Sequence, residues 1–262
     1  MSLERFYLSA DTSNILSNEH WLRYEAVVPM IKDKVVLDVA CGSGYGSDHL
    51  ATSGAKKVIG LDIDGPTIEA NIENYQRDNL AFKKASALKL PFKDGEFDVV
   101  VSFETIEHFN EDDQMDVMAE FKRVLSPEGL LIISTPNIEY PHYPNPFHLR
   151  ELSKFDLVTL VQMEHKYMRI YEQGSAIATF IADEDDFDGR YVLSTGFIPK
   201  YFITISSDRE IDEMIPPMAT LNSETLRRQE TSPAKKIMDT FYRPLIKVPF
   251  IKKMVDKINK GR

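Results

Sequence analysis

Between residues 35 and 135 the chain alternates short apolar runs with longer stretches of helical periodicity. The runs cover residues 35–40, 57–62, 81–85, 97–102 and 130–135. VVLDVA and LLIIST are apolar almost throughout, the pattern of strands buried on both faces. Between them the pattern predicts three helices. One covers 46–53 and is stopped by Gly54, and another opens at Pro66 behind Asp64-Gly65, where a missing N–H costs nothing. The third covers 112–125, with Met115, Met118, Ala119, Lys122 and Leu125 close to helical spacing, and ends at Ser126-Pro127. Such repetition predicts parallel strands joined by right-handed crossovers, a doubly wound α/β sheet. A loop dense in proline and histidine follows, TPNIEYPHYPNPFHLREL, then a helix over 151–165 and a strand over 167–172. A polar stretch with the acidic run Asp183 to Asp188 leads to a last strand over 200–206.

The most informative segment is VVLDVACGSGYGSDHL. A strand ends at Val39-Ala40, and Gly42, Gly44 and Gly46 lead into a helix. Glycine permits the tight turn and lets backbone N–H groups approach a ligand, and the helix N-terminus adds partial positive charge. The next strand ends in Asp62, 24 residues after Asp38, where a carboxylate can accept both ribose hydroxyls of an adenosine. A dinucleotide loop of the form GxGxxG needs glycine at 47, and the residue there is Ser47. Asp38 in the preceding strand suits a cationic or amine-bearing ligand better than a pyrophosphate, which disfavours a nicotinamide-dependent oxidoreductase. The bland reading of the loop is a tight turn that binds nothing.

On these residues the sequence resembles the class I S-adenosylmethionine-dependent methyltransferases, especially their type-11, quinone-methyltransferase-like group. The resemblance spans residues 1–150. LDVACGSGYG is similar to the family's first motif and VIGLDID to its second-strand motif. LKLPFKDGEFDVVVSFETIEHF resembles the third and fourth strands, and FKRVLSPEGLLIISTPN the block around the fifth. The leader EHWLRYEAVVP followed by ACGSGYGS is similar to a subgroup associated with surface-polysaccharide or glycan assembly. The resemblance implies a seven-stranded, mostly parallel sheet with its last strand antiparallel, and S-adenosylmethionine as cofactor. It implies that Asp38 and the loop Gly42, Gly44 and Gly46 face the methionine moiety, that Asp62 takes the ribose hydroxyls and that Ile63 lies against adenine. Family members carry Asp before Ala in the segment that contacts the adenine amine; this chain has Ser86-Ala87, so that contact is weakened or moves to a neighbour. Phe103 and Glu104 are expected near the sulfonium and the acceptor. Arg23 is expected either on the methionine carboxylate, which a guanidinium fork matches, or in a surface salt bridge.

Methyl transfer from a sulfonium asks the protein mainly to align acceptor and methyl and to exclude water. A base is needed only where the acceptor must lose a proton. Glu104, Glu107 and His108 follow the fourth strand, at the carboxyl edge where ligands bind in such sheets. His108 is the first candidate base, against a role in shaping the loop. His148 either faces the acceptor or caps the next helix. No metal site is expected: His142 and His148 share a loop with Glu139 and Glu151 at a spacing that matches no ligand motif, and Asp183 to Asp188 lacks the EF-hand spacing. Cys41, the single cysteine, excludes an internal disulfide and reads as a small buried residue.

Composition sharpens this picture at one end. The 262 residues carry a net charge of −10, which argues against nucleic acid as the main substrate. Residues 231–262 hold nine basic and two acidic side chains, a net +7, which leaves −17 for residues 1–230. On a helical wheel Phe250, Ile251, Met254, Val255 and Ile258 share one arc, and Lys252, Lys253, Lys257 and Lys260 the other. Such a basic amphipathic helix docks on a membrane surface or a partner, or packs on its own acidic body. The expected organisation is a leader over 1–33, a methyltransferase domain over 34–206, a connector over 207–233 and a basic tail over 234–262. Without a signal-peptide pattern or an apolar span, the expected location is cytoplasmic, with the tail offering attachment to the inner face of a membrane. The expected reaction is methyl transfer, at oxygen, to a small-molecule or lipid-linked sugar acceptor. The alternatives are a quinone or secondary-metabolite acceptor, or a cofactor-binding subunit without turnover.

Overall fold

The computed structural model describes residues 15–141, 144–174 and 198–215. A seven-stranded sheet has the order β3-β2-β1-β4-β5-β7-β6. Its strands are β1 (Val35–Val39), β2 (Lys57–Asp62), β3 (Leu80–Lys84), β4 (Phe97–Phe103), β5 (Leu125–Pro136), β6 (Tyr167–Gln173) and β7 (Tyr201–Ser207). The first five pair in parallel, and β7 runs antiparallel between β5 and β6. The helices are α1 (Ile15–Ile31), α2 (Tyr45–Thr52), α3 (Gly65–Asn74), α4 (Glu111–Val124) and α5 (Lys154–Glu164). This is the expected doubly wound α/β architecture. The acidic run Asp183 to Asp188, His142, the connector beyond 215 and the basic tail lie outside the described residues. No helix among the described residues is long and apolar enough to cross a membrane.

The continuous apolar strands serve two cores, one on each face. Val36, Val58, Val99 and Ile132 pack with Tyr24, Val27 and Ile31 of α1 and Leu50 of α2. Leu37, Ile59, Val100 and Leu131 pack with Met118 and Phe121 of α4 and Leu157 and Val161 of α5. Neighbouring residues of one strand thus feed opposite cores, which is why these runs are apolar almost throughout. The leader helix shares the first of these cores.

Two boundaries differ from the sequence reading by three residues or more. Ser126-Pro127 does not separate helix from strand, because β5 starts at Leu125, directly after α4. Leu125 pairs with Phe97, and the next pair is Val99 with Leu130. Five steps on one strand face two on the other, so residues 126–129 bulge out of the ladder and hide the early start of the strand. The fifth helix begins at Lys154, not at 151, because Ser153 caps it in a box with Asp156.

Close approach of α1 and α2 to the sheet requires glycine at particular points. A Cβ on Gly46 would lie 2.0 Å from the Tyr24 ring, and one on Gly60 would lie 2.6 Å from Ser47 Oγ. We expect Gly46→Ala to cost about 1–3 kcal/mol in urea unfolding, as overpacking does. Gly65→Ala, whose new methyl would meet only the flexible end of Lys84, should stay within about 0.5 kcal/mol of the wild type.

Candidate functional site

The carboxyl ends of β1, β2 and β4 come together beside α1. Asp38 lies in β1 with no exposed surface. It accepts hydrogen bonds from Ser47 Oγ at 2.6 Å and from the Tyr24 hydroxyl at 3.2 Å. Both partners lie on helices, so Asp38 stands beneath the glycine loop as a brace between α1, α2 and the sheet. Burial raises its pKa to about 7, with the Asp62 charge adding to the rise and the bonds from Ser47 and Tyr24 opposing it.

Above this brace the loop is held open. Gly42 and Gly44 have φ of 52° and 76°, in the left-handed region that favours glycine. The Gly42 N–H donates to Asp62 Oδ2 at 3.0 Å, and the Asp64 N–H donates to Oδ1 at 2.9 Å. Asn71 of α3 donates to the Gly42 carbonyl at 2.7 Å. These bonds fix the Asp62 carboxylate at the mouth of β2, and Ile63 beside it is 67% exposed. A Cβ on Gly42 would meet nothing within 4 Å, so this stretch of backbone borders open space. Ser86 Oγ accepts from the Leu88 N–H within its own turn, and Ala87 is buried.

Arg23 is buried, which removes the surface salt-bridge reading. Its Nε donates to Gln173 Oε1 of β6 at 2.7 Å, and Nη1 lies 3.3 Å from Glu104 Oε1. Its guanidinium stacks 4.0 Å above the Tyr201 ring of β7. Glu104 takes φ of 53°, unusual for a residue with a Cβ, and Ser134 holds it there by donating to Oε1 at 2.8 Å. Phe103 is buried edge-on against Tyr24. His20, in the same aromatic group, is pushed down to about pKa 3 by burial, with the Arg23 charge adding, and is therefore neutral.

The fold also gathers Glu107, His108 and His148. The two rings meet edge to face with centroids 5.1 Å apart, and one ligand atom from each of the three side chains lies within 4.8 Å of the others. Glu107 is fully buried; burial and the Glu104 charge raise its pKa. His148 bonds Glu151 at 2.6 Å and does not cap α5, whose cap is Ser153.

The residues present fit S-adenosylmethionine. Two buried polar atoms, Arg23 Nη2 and Ser43 Oγ of the loop, lack a partner among the described residues. An anionic group satisfies the first and a polar ligand atom the second. The Asp62 carboxylate and the open backbone at Gly42 suit a ribose. Sequence reasoning missed Tyr24, Ser43, Gln173 and Tyr201. Tyr24 stands beside Arg23 in the chain, yet no local signal marks it; Gln173 and Tyr201 arrive through β6 and β7, far away in sequence.

Residues 37–133 match the family model described as a methyltransferase domain. A probable S-adenosylmethionine-dependent methyltransferase of Mycobacterium tuberculosis (strain H37Rv) is 35% identical over 164 residues, covering 60% of this chain and 58% of that protein. A 27-O-demethylrifamycin SV methyltransferase of Amycolatopsis mediterranei is 29% identical over 58% of this chain and 57% of its own. The chain thus spans less than two thirds of these relatives. A solved Pyrococcus horikoshii protein superposes with a TM-score of 0.57 at 21% identity, over 80% of this chain and 100% of that one, and so shares the fold. The matched segment is thus similar to a methyltransferase domain, and the chain is similar to S-adenosylmethionine-dependent methyltransferases over 60% of its length.

The Asp38 carboxyl gives the site a pH signature. Its ordinary value is 3.8 and its folded value about 7, so between these the folded chain holds a proton that the unfolded chain has lost. Its contribution to stability is present below about pH 4 and is lost as pH rises toward 7. Urea unfolding of wild type and Asp38→Asn should therefore give a wild-type advantage that shrinks with rising pH, by about 1.4 kcal/mol per unit at most. Parallel curves for the two proteins would contradict this assignment.

Proposed function

We propose that this chain is a methyltransferase that moves the methyl group of S-adenosylmethionine to a hydroxyl oxygen of a small molecule, the sugar of a lipid-linked glycan included. The observation that carries the reading is the buried Arg23 with one terminal nitrogen unpartnered, beside a glycine loop and a fixed ribose-type carboxylate. Arg23 is proposed to hold the methionine carboxylate, Gly42 and Ser43 the loop side of the cofactor, Asp62 the ribose hydroxyls and Ile63 the adenine. Bound there, the cofactor supplies the methyl electrophile. Glu104 keeps Arg23 oriented and stands with Phe103 toward the acceptor side.

A hydroxyl acceptor gives up a proton, so a histidine at the carboxyl edge fits oxygen as the target better than an already deprotonated nucleophile. His108 is proposed to receive that proton. The 27-O-demethylrifamycin relative carries an oxygen target in its name, which supports the same choice. A nicotinamide cofactor fits poorly, since Ser47 fills the third glycine position and bonds Asp38.

The basic segment 234–262 is proposed to dock the protein on anionic lipid. It should carry the full chain down with vesicles containing phosphatidylserine at low salt, and a chain lacking it should stay in solution. Equal sedimentation of the two would remove the docking role.

Incubation with radiolabelled S-adenosylmethionine and a panel of hydroxylated acceptors, lipid-linked glycans among them, should give acceptor-dependent S-adenosylhomocysteine and a labelled ether. Arg23→Met should raise the cofactor KM roughly 10- to 100-fold, the worth of a charge-assisted contact. Tight cofactor binding with no transfer to any acceptor would favour the non-catalytic subunit, and tight NAD binding in its place would overturn the reading.

A further inference from the structure

We propose that Glu107, His108 and His148 form a binding site for a divalent transition-metal ion, of the zinc and manganese class. His108 and His148 are 40 residues apart in sequence, yet a nitrogen of each ring and an oxygen of Glu107 fall within 4.8 Å of one another. Two ligands about 2.0–2.2 Å from one tetrahedral ion stand about 3.4 Å apart, so the three side chains would draw together on binding it.

The state of each donor supports the ion. His108 Nδ1 lies 3.0 Å from the Phe147 carbonyl, which can only accept, so Nδ1 donates and, in the neutral ring, Nε2 is the nitrogen with the lone pair. His148 Nδ1 lies 2.6 Å from the Glu151 carboxylate, with the same consequence. A carbonyl on one imidazole and a carboxylate on the other are the outer partners that orient metal-bound histidines. His148 Nε2 now receives the Asn145 amide at 2.9 Å, a bond that an ion would replace.

The second, independent observation is the carboxylate. Glu107 has no exposed surface; Thr135 bonds Oε2, while Oε1 is buried with no hydrogen-bond partner among the described residues. An orphaned carboxylate oxygen inside a protein carries a desolvation penalty that an ion removes. Two imidazoles and one carboxylate make a three-ligand set that leaves coordination positions for oxygen. The set adjoins Glu104, which contacts Arg23, so the open positions serve the acceptor side of the site. With the ion bound, His108 would be a ligand and no longer the base, and the acceptor hydroxyl on the ion would lose its proton to solvent. That use rests on the methyl-transfer reading, whereas the binding of the ion does not.

The test is equilibrium dialysis of the full chain against Zn2+ and, separately, Mn2+, followed by metal analysis, with S-adenosylmethionine binding measured on the same samples. We expect one ion per chain for wild type and His49→Ala, and none for His108→Ala or His148→Ala, each checked for folding by circular dichroism. Glu151→Gln, which keeps the ligands but alters the outer partner, should weaken the ion 10- to 100-fold. No bound ion in a wild type that binds S-adenosylmethionine overturns the metal site alone, as does undiminished binding by the two histidine variants. A wild type that binds the ion but not S-adenosylmethionine overturns the cofactor reading and leaves the metal site standing.

Discussion

A buried carboxyl at the end of the first strand holds the site in shape. Asp38 takes hydroxyl hydrogen bonds from Tyr24 of α1 and Ser47 of α2, and so ties the leader helix and the loop helix to the sheet. Such a group has to be satisfied from several directions, because an uncompensated buried carboxyl costs several kcal/mol, on the order of 3–5. The glycines follow from the same constraint. Gly46 makes room for the Tyr24 ring and Gly60 for the Ser47 side chain, so both serve helix–sheet approach. Only Gly42 and Gly44 serve the turn itself. One residue before Tyr24, the same helix carries Arg23 into the interior, so the brace and the unpartnered guanidinium nitrogen are two products of one docking event.

The site divides between the segment that matches the methyltransferase model and elements outside it. The segment, 37–133, supplies the loop, Asp62, Phe103, Glu104, Glu107 and His108. The rest comes from outside it: Arg23 from α1, Gln173 and Tyr201 from β6 and β7, and His148 from the loop before α5. Glu104 joins the two parts, held by Ser134 on one side and facing Arg23 on the other.

Much of the fold was legible in the chain because parallel strands buried on both faces leave continuous apolar runs, and VVLDVA and LLIIST are such runs. The start of β5 was not legible, since a bulge over residues 126–129 places Ser126 and Pro127 inside a strand that otherwise reads as ended. Within the site, the glycine loop, Asp38 and Asp62 announce themselves by spacing along one βαβ unit. The burial of Arg23 and the meeting of His148 with His108 do not, because they depend on pairings across 150 and 40 positions that no local pattern encodes. The bond from Tyr24 to Asp38 was hidden for the same reason: Tyr24 lies in another element.

Isothermal titration of the full chain with S-adenosylmethionine, and with its decarboxylated analogue, tests the central claim most directly. The arrangement around Arg23 predicts that the wild type binds the intact cofactor clearly more tightly than the analogue lacking the carboxylate, and that Arg23→Met binds both equally weakly. Equal affinity of the wild type for the two compounds, or no binding of either, would contradict it.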